Sequence, residues 1–242
     1  MYTEKHINGY IVHHYDEVNS TSTVCAQDMY QYSTDKIVIV TDLQTMGRGR
    51  LGSVWQSAVG NLMTTVVLPL KQKKIVWSDI SFITALAISD CIRELTNDSN
   101  TQVKWSNDVL INGDKIAGVL LEAYENTLCI GIGINVMSAP VVSKYGTASL
   151  LGLGVSINKM QVLKMLLERL DVWMRVWEEQ GFKAILSVYK SRLWGVGQKI
   201  CIRTTQESYK GIFKGVDESG CAVLELADKS LKNFTAGEMS FE

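Results

Sequence analysis

The sequence predicts an α+β fold, a mixed and mainly antiparallel sheet flanked by helices, with a small all-β unit after it. Three observations carry that expectation. β-branched, strand-like runs lead into one long apolar-faced helix. Three more strand-like runs then succeed one another through turns instead of alternating with helices. Near its carboxy end the chain changes to short, closely spaced strands.

Residues 36–41, KIVIVT, form a β-branched run of the kind buried on both faces of a sheet. The segment DLQTMGRGRLGSVWQSAVGN, rich in glycine and polar groups, reads as a long loop. Residues 62–70, LMTTVVLPL, are a second strand, and Pro69, which cannot donate to a ladder, marks its end. Ser78 is placed to cap a helix, with Asp79 favourable at the positive end of its dipole. Ile80, Ile83, Ala87, Ile88, Cys91 and Leu95 then recur at helical spacing, and Phe82, Ala85 and Leu86 widen the stripe, so this helix is expected to be largely buried.

VKWSNDVLI, KIAGVLLEAY and TLCIGIGINV are the three consecutive strand-like runs. Asn112-Gly113-Asp114 separates the first two, and Asn-Gly supplies the positive φ angles of a tight hairpin; Glu125-Asn126 makes the second turn. Asn158 followed by Gln161 approximates a capping box, Leu163, Leu166, Leu167, Leu170, Trp173 and Trp177 keep helical spacing, and Gly181 supplies a stop. A shorter helix runs from Phe182 to about Leu193. Beyond a boundary at Trp194-Gly195, KICIRT, YKGIFKGVD, CAVLEL and KNFTAGEMSF suggest a small β-barrel or half-sandwich. The expected division is therefore 1–194 and 195–242.

Composition excludes some functions. Lys plus Arg number 24 against 25 for Asp plus Glu, a net charge of -1. No global basic field exists to hold nucleic acid nonspecifically, so any polyanion must be gripped locally. The five cysteines, Cys25, Cys91, Cys129, Cys201 and Cys221, form no CxxC pair and read as small core hydrophobes in a reducing compartment. His6, His13 and His14 lack any metal-ligand spacing, so no metal held by protein side chains is expected. Neither a signal peptide nor a membrane-spanning run is apparent, and the expected location is the cytoplasm.

The segment from Gly47 to Gly52, GRGRLG, matches the dinucleotide fingerprint letter for letter, but no helix or appropriately spaced acidic residue follows. Physically, three glycines let backbone approach a ligand while Arg48 and Arg50 fork onto carboxylate or phosphate oxygens. The bland alternative is a solvated turn. Lys104, Asn107, Lys115 and Gly118 follow in the hairpin region, able to supply two fixed ammoniums, an amide and a close backbone approach. Gly131, Gly133 and Asn135 repeat that combination of bare backbone and amide. Two S-x-x-K matches lack a K-T-G partner, and no P-loop motif is present.

Taken together, these segments resemble biotin protein ligases. GRGRLGSVWQS is similar to their GRGRxGxxW loop, KWSNDVLINGDKIAGVLLE to their KWPND…KxxGIL segment and GIGINV to their G-x-G-I-N strand. Ser20-Thr21-Ser22 stands where the family carries Ser-Thr-Asn, Gln44 precedes the loop at family spacing, and Thr147 to Leu150 resembles its A-T-S-L stretch. The tail is like the family's carboxy-terminal barrel, so the resemblance covers nearly the whole chain in order.

The resemblance implies a catalytic domain like the class II aminoacyl-tRNA synthetases and an SH3-like barrel. It implies activation of biotin by ATP to biotinyl-5′-AMP, then transfer to a lysine of the biotin carboxyl-carrier domain of a carboxylase, with Mg²⁺ accompanying ATP. It places Ser20, Thr21, Ser22, Gln44, Gly47, Arg48, Gly49 and Gly118 around biotin. Arg50 closes the loop over the adenylate, and Lys104 neutralises first the carboxylate and then the α-phosphate. Catalytic weight therefore falls on Lys104, Arg48 and Arg50; Trp55, Asn107, Lys115 and Asn135 join Arg50 on the nucleotide side. Ser53 replaces a frequent arginine, Ser106 a usual proline and Ser22 an asparagine, from which looser loop closure or weaker adenylate retention is expected. The ligase-like part begins near Tyr10, which argues against a DNA-binding domain; a homodimer is common in the family. The rival readings are a lipoate or octanoate ligase and a non-catalytic biotin sensor.

Overall fold

A computed structural model describes residues 2–27, 30, 35–69, 76–124, 127–142 and 145–241. Its first part is an eight-stranded sheet built from β1 (Tyr2–Ile7), β2 (Tyr10–Val18), β3 (Ile37–Gln44), β4 (Leu62–Pro69), β5 (Thr101–Lys104), β6 (Asp108–Ile111), β7 (Asp114–Tyr124) and β8 (Thr127–Ile134). The strand order is β1-β2-β3-β4-β8-β7-β6-β5. Only β2 and β3 run parallel, across a connection that carries the short helix α1 (Thr21–Cys25); the other pairs are antiparallel.

Alternation divides the sheet into two faces. Val38, Val40, Val66, Val119, Leu128, Ile130, Ile132 and Ile134 pack against α2 (Trp77–Thr96), α3 (Lys159–Gln180) and α4 (Phe182–Ser191) in the main core. The intervening residues of β3, β4 and β8 face the other way. There Ile37, Ile39, Val67 and Cys129 form a second cluster with Val24, Cys25 and Tyr30. Further along β8 on that same face come Gly131 and Gly133. The helices thus take one face, leaving the other to α1 and a cleft.

Pro69 ends β4 as expected. The Asn112-Gly113 turn has φ of 52° and 87°, and the Asn158–Gln161 capping box is complete. Glu125-Asn126 lies outside the described residues. Two strands and one turn escaped the sequence reading: β1 and β2 are joined by Asn8-Gly9, whose φ of 52° and 79° repeat the chemistry recognised at 112–113. The run VKWSNDVLI is two strands, since residues 105–107 turn between β5 and β6, and the Trp105–Ser106 peptide is cis. Ser78 does not cap α2. That helix starts two residues earlier, at Trp77 after Val76, while the Asp79 carboxylate accepts a hydrogen bond from Trp177 Nε1 at 3.0 Å.

The cysteine expectation also needs correction. Cys25 of α1 and Cys129 of β8 are disulfide-bonded, with Cα atoms 6.4 Å apart, across a sequence separation of 104 residues. Sequence distance concealed a pair that the parallel β2–α1–β3 connection brings together. Cys91, Cys201 and Cys221 are free thiols.

After Trp194, β9 (Lys199–Arg203), β10 (Ser208–Val216), β11 (Ala222–Glu225), β12 (Leu231–Phe234) and β13 (Glu238–Phe241) form a second antiparallel sheet in the order β12-β11-β10-β9-β13. KNFTAGEMSF is therefore two strands on opposite edges. No pairing joins β12 to β13 among the described residues, so the ladder is open where a closed barrel was expected. This sheet is fastened to the first part by Trp105 Nε1, which donates to Gly220 O at 3.0 Å, and by the Trp194–Phe241 ring pair at 4.4 Å. No helix is long and apolar enough to cross a membrane among the described residues.

Candidate active site

The loop between β3 and β4 is a small hairpin. Gly49 N donates to Ser53 O at 2.7 Å, Ser53 N to Arg50 O at 3.0 Å and Trp55 N to Gly47 O at 3.0 Å, while Arg48 and Val54 form an antiparallel bridge. The tip, Arg50–Gly52, is a single 3₁₀ turn in which Leu51 and Gly52 have φ of 51° and 76°. Glycine is required at 47, because a Cβ there would lie 2.4 Å from the Trp55 carbonyl oxygen. The chain returns from this hairpin into β4 rather than opening a helix, in keeping with rejection of a dinucleotide turn.

The hairpin lays Trp55 on bare backbone. Gly118 and Gly133 are register partners on β7 and β8. A Cβ at Gly133 would stand 2.3 Å from indole Cε2 and Cζ2, and one at Gly118 would stand 3.1 Å from Cζ3. The sequence reading gave this bare surface to a ligand directly. The structure gives it to Trp55, which in turn lines a cavity of ≈ 490 Å³, a size suited to a small-molecule site.

Over β3 and β4 the cavity is polar and uncharged. Gln44 Oε1 accepts from Thr21 N at 2.9 Å and Thr21 Oγ1 at 3.2 Å, and Gln44 Nε2 donates to Ser57 Oγ at 3.2 Å, which fixes the amide's orientation. Thr65 Oγ1 donates to Thr21 Oγ1 at 2.8 Å and lies 3.4 Å from Ser22 Oγ. Ser20 completes this end of the cavity.

Across the sheet, over β5 to β7, the lining is cationic. Lys115 Nζ is 2.7 Å from Asp108 Oδ1 and Lys104 Nζ is 3.8 Å from Asp108 Oδ2, so two ammoniums share one carboxylate. Lys115 also faces the Trp55 ring at 5.7 Å and Lys104 the Trp194 ring at 5.7 Å. Burial draws the Lys104 pKa below its ordinary 10.5; Asp108 opposes that shift and Lys115 adds to it. Between the folded-state value and 10.5 the unfolded chain holds more protons, so this residue's contribution to stability rises with pH through that window. At neutral pH the charge costs stability. Lys104→Met is therefore expected to melt above wild type at pH 7, with the difference shrinking toward pH 10.5, while activity falls. Thermal melts across pH check this, and a lower melting temperature at pH 7 would contradict it.

The arginines are both engaged. Arg48 Nη2 donates to Glu122 Oε2 on β7 at 2.9 Å. Arg50 Nη1 donates to Ser106 Oγ, to Asn107 Oδ1 at 2.9 Å and to Gly237 O, in the connection between β12 and β13, at 3.3 Å. Burial lowers the Arg50 pKa, against the pull of Asp108 and Glu238, and leaves a charged guanidinium at any ordinary pH. Asn107 Nδ2 donates to Val119 O at 2.8 Å, which aims its carbonyl at Arg50. Asn135 donates to Ala148 O at 3.0 Å through Nδ2, and its Oδ1 is buried with no hydrogen-bond partner among the described residues. A buried acceptor in a cavity wall is stabilised by a donor, such as an exocyclic amine.

The structure brings the candidate residues to one cavity: Ser20, Thr21, Ser22, Gln44, Arg48, Gly49, Arg50, Trp55, Lys104, Asn107, Lys115, Gly118 and Asn135 all line it, and Gly47 stands behind Trp55. Sequence reasoning missed Asp108, Thr65, Glu122 and the contribution of Gly237 and Glu238. Asp108 was visible as an acid four residues after Lys104. Thr65, a polar residue inside an apolar strand, was a similar signal.

Comparison with known proteins gives consistent results. Residues 15–136 match the model of the biotin/lipoate A/B protein ligase family, and residues 195–242 that of the biotin protein ligase C terminal domain. A biotin–[acetyl-CoA-carboxylase] ligase of Paracoccus denitrificans is 32% identical over 193 residues, 75% of this chain and 80% of that protein. The bifunctional ligase/repressor BirA of Bacillus subtilis is 28% identical over 242 residues, 94% of this chain and 73% of that protein. Among solved structures, the biotin protein ligase from Aquifex aeolicus in complex with biotin and ATP is similar with a TM-score of 0.82 at 27% identity, covering 95% of this chain and 97% of that one.

Proposed function

The chain belongs to the biotin/lipoate A/B protein ligase family, and from that premise we infer an ATP-dependent ligase that activates biotin as biotinyl-5′-AMP and transfers it to a lysine of a carboxylase's biotin carrier domain. The observation that carries this reading is the pairing, in one cavity, of an uncharged hydrogen-bonding end with Lys104, Lys115 and Arg50. A sensor that merely bound biotin would need the first and one cation for the carboxylate, not three.

In the first step a biotin carboxylate oxygen bonds to the α-phosphorus of ATP as the bond to the pyrophosphate bridging oxygen breaks. In the second, an acceptor amine bonds to the acyl carbon, the acyl bond to AMP breaks and the amine releases a proton. Charge builds on phosphoryl and acyl oxygens in both steps, so fixed ammoniums and a guanidinium do most of the work. We assign Lys104 and Lys115 to the carboxylate and α-phosphate, Arg50 to retention of the adenylate, and the Thr21–Gln44–Thr65 network to the ureido ring. Asn135 Oδ1 suits an adenine amine.

That polar network also argues against lipoate or octanoate. A dithiolane or alkyl chain has no groups to use the remaining hydrogen-bonding capacity of that lining, and it would desolvate those polar groups with nothing in return. Biotin alone is expected to support exchange of labelled pyrophosphate into ATP, with lipoate and octanoate inert, and biotin is expected on the acceptor lysine afterwards. Absence of biotin-dependent exchange by folded protein would overturn the ligase reading.

Finer assignments belong to the same proposal. We divide the chain at 194/195 and read residues 195–242 as a barrel-like unit. Mg²⁺ accompanying ATP would be held chiefly by phosphate oxygens and water and would offset phosphate charge; Asp108 is engaged by Lys104 and Lys115. We place the activity in the cytoplasm.

A further inference from the structure

Ser53 and Ser106 lie far apart in sequence, yet both bind the same residue. Ser53 Oγ donates to the Arg50 carbonyl at 2.8 Å, adding to the Ser53 N to Arg50 O bond at 3.0 Å. Ser106 Oγ accepts from Arg50 Nη1. One serine therefore fixes the backbone of the hairpin tip, and the other fixes the guanidinium.

The acceptors that receive this guanidinium are themselves held. Ser81 Oγ, on α2, donates to Ser106 O at 2.9 Å, so the turn 105–107 is anchored without use of the Ser106 hydroxyl. Asn107 is anchored to Val119 O, and Gly237 immediately precedes β13, beside the Arg203–Glu238 ion pair. All three bonds from the guanidinium use Nη1, so its other N–H groups are not spent on them. The arrangement seats Arg50 through one terminal nitrogen, and Arg50 lines the cavity. Proline, which the resembling segment carries at 106, has no side-chain acceptor to offer.

We propose that Ser53 and Ser106 are positioning residues for Arg50, fastening the hairpin over the cavity through contacts made within the chain. This reverses the expectation that serine at these positions loosens the loop. It rests on the assignment of Arg50 to adenylate retention.

The test is the release rate of biotinyl-adenylate, formed on the full-length protein from biotin and ATP and chased with excess unlabelled biotin and ATP. Ser106→Ala is expected to release it about 5- to 10-fold faster and Ser53→Ala about 3-fold faster, while Ser106→Thr, which keeps the hydroxyl, stays within about twofold of wild type. In an Arg50→Ala background neither alanine should change release further: Ser106 has lost its partner guanidinium, and Ser53, whose partner is the Arg50 carbonyl, no longer has a guanidinium to position. Unchanged release in the single variants would overturn the proposal. So would acceleration that persists without Arg50, since a general loss of packing acts in either background. Wild-type protein that makes no adenylate would instead remove the ligase reading, and this proposal with it.

Discussion

Lys104→Ala and Lys115→Ala are each expected to lower kcat/KM for biotin-dependent pyrophosphate exchange by about 10²–10³-fold, the usual cost of deleting one preorganised charge-stabilising donor. The reason is charge arithmetic at Asp108. Two ammoniums and one carboxylate leave this part of the cavity with a single positive charge. Removal of either lysine leaves a neutral pair, and the cluster no longer favours a phosphate or a developing oxyanion. That argument makes a sharper demand. Asp108→Asn in the Lys104→Ala background restores the single positive charge and should recover about tenfold of the loss, whereas Asp108→Asn alone should not improve exchange. Steady-state exchange with all four proteins decides it. A double variant worse than Lys104→Ala would mean that Asp108 serves the reaction directly rather than as a counter-ion.

Gly133→Ala is expected to reduce exchange by about 10²-fold with little loss of folded structure. Its Cβ would meet the Trp55 ring at 2.3 Å, and an indole is stiff, so the whole ring must lift from the β7–β8 floor. Trp55 N is tied to Gly47 O at 3.0 Å, and the displacement therefore passes into the hairpin that carries Arg48 and Arg50. Far-UV circular dichroism should match wild type while activity collapses. Near-normal activity would show that Trp55 can be moved without disturbing the arginines.

Much of the fold was legible where local chemistry decides it. The Asn112-Gly113 turn, the Asn158–Gln161 box and the Gly181 stop depend on a few adjacent residues, and all three are present. Ser78 failed as a cap because the helix already begins at Trp77, and Asp79 serves a contact to Trp177, 98 residues away, that local sequence does not announce. The Cys25–Cys129 pair failed for a similar reason: only the parallel crossover brings α1 beside β8. The N-terminal hairpin was missed because β1 is almost wholly exposed and carries no apolar alternation, although Asn8-Gly9 announced its turn. For the site, motifs gave the residue types and their gathering, while pairing was invisible. That Asp108 lies between two lysines, that Glu122 holds Arg48 and that Trp55 takes the glycine floor are facts of register across β6, β7 and β8.

The carboxylate shared by Lys104 and Lys115 has a bearing on how the protein responds to its medium. Lysines on an open surface are screened by dissolved ions, so their attraction for a phosphate weakens as salt rises. Here the neutralising ion is built into β6 and stays in place when a substrate arrives. The three side chains are only 15–19% exposed, too sheltered for mobile ions to screen effectively. Added salt is accordingly expected to weaken the attraction of this pair for phosphate less than it would that of an exposed pair.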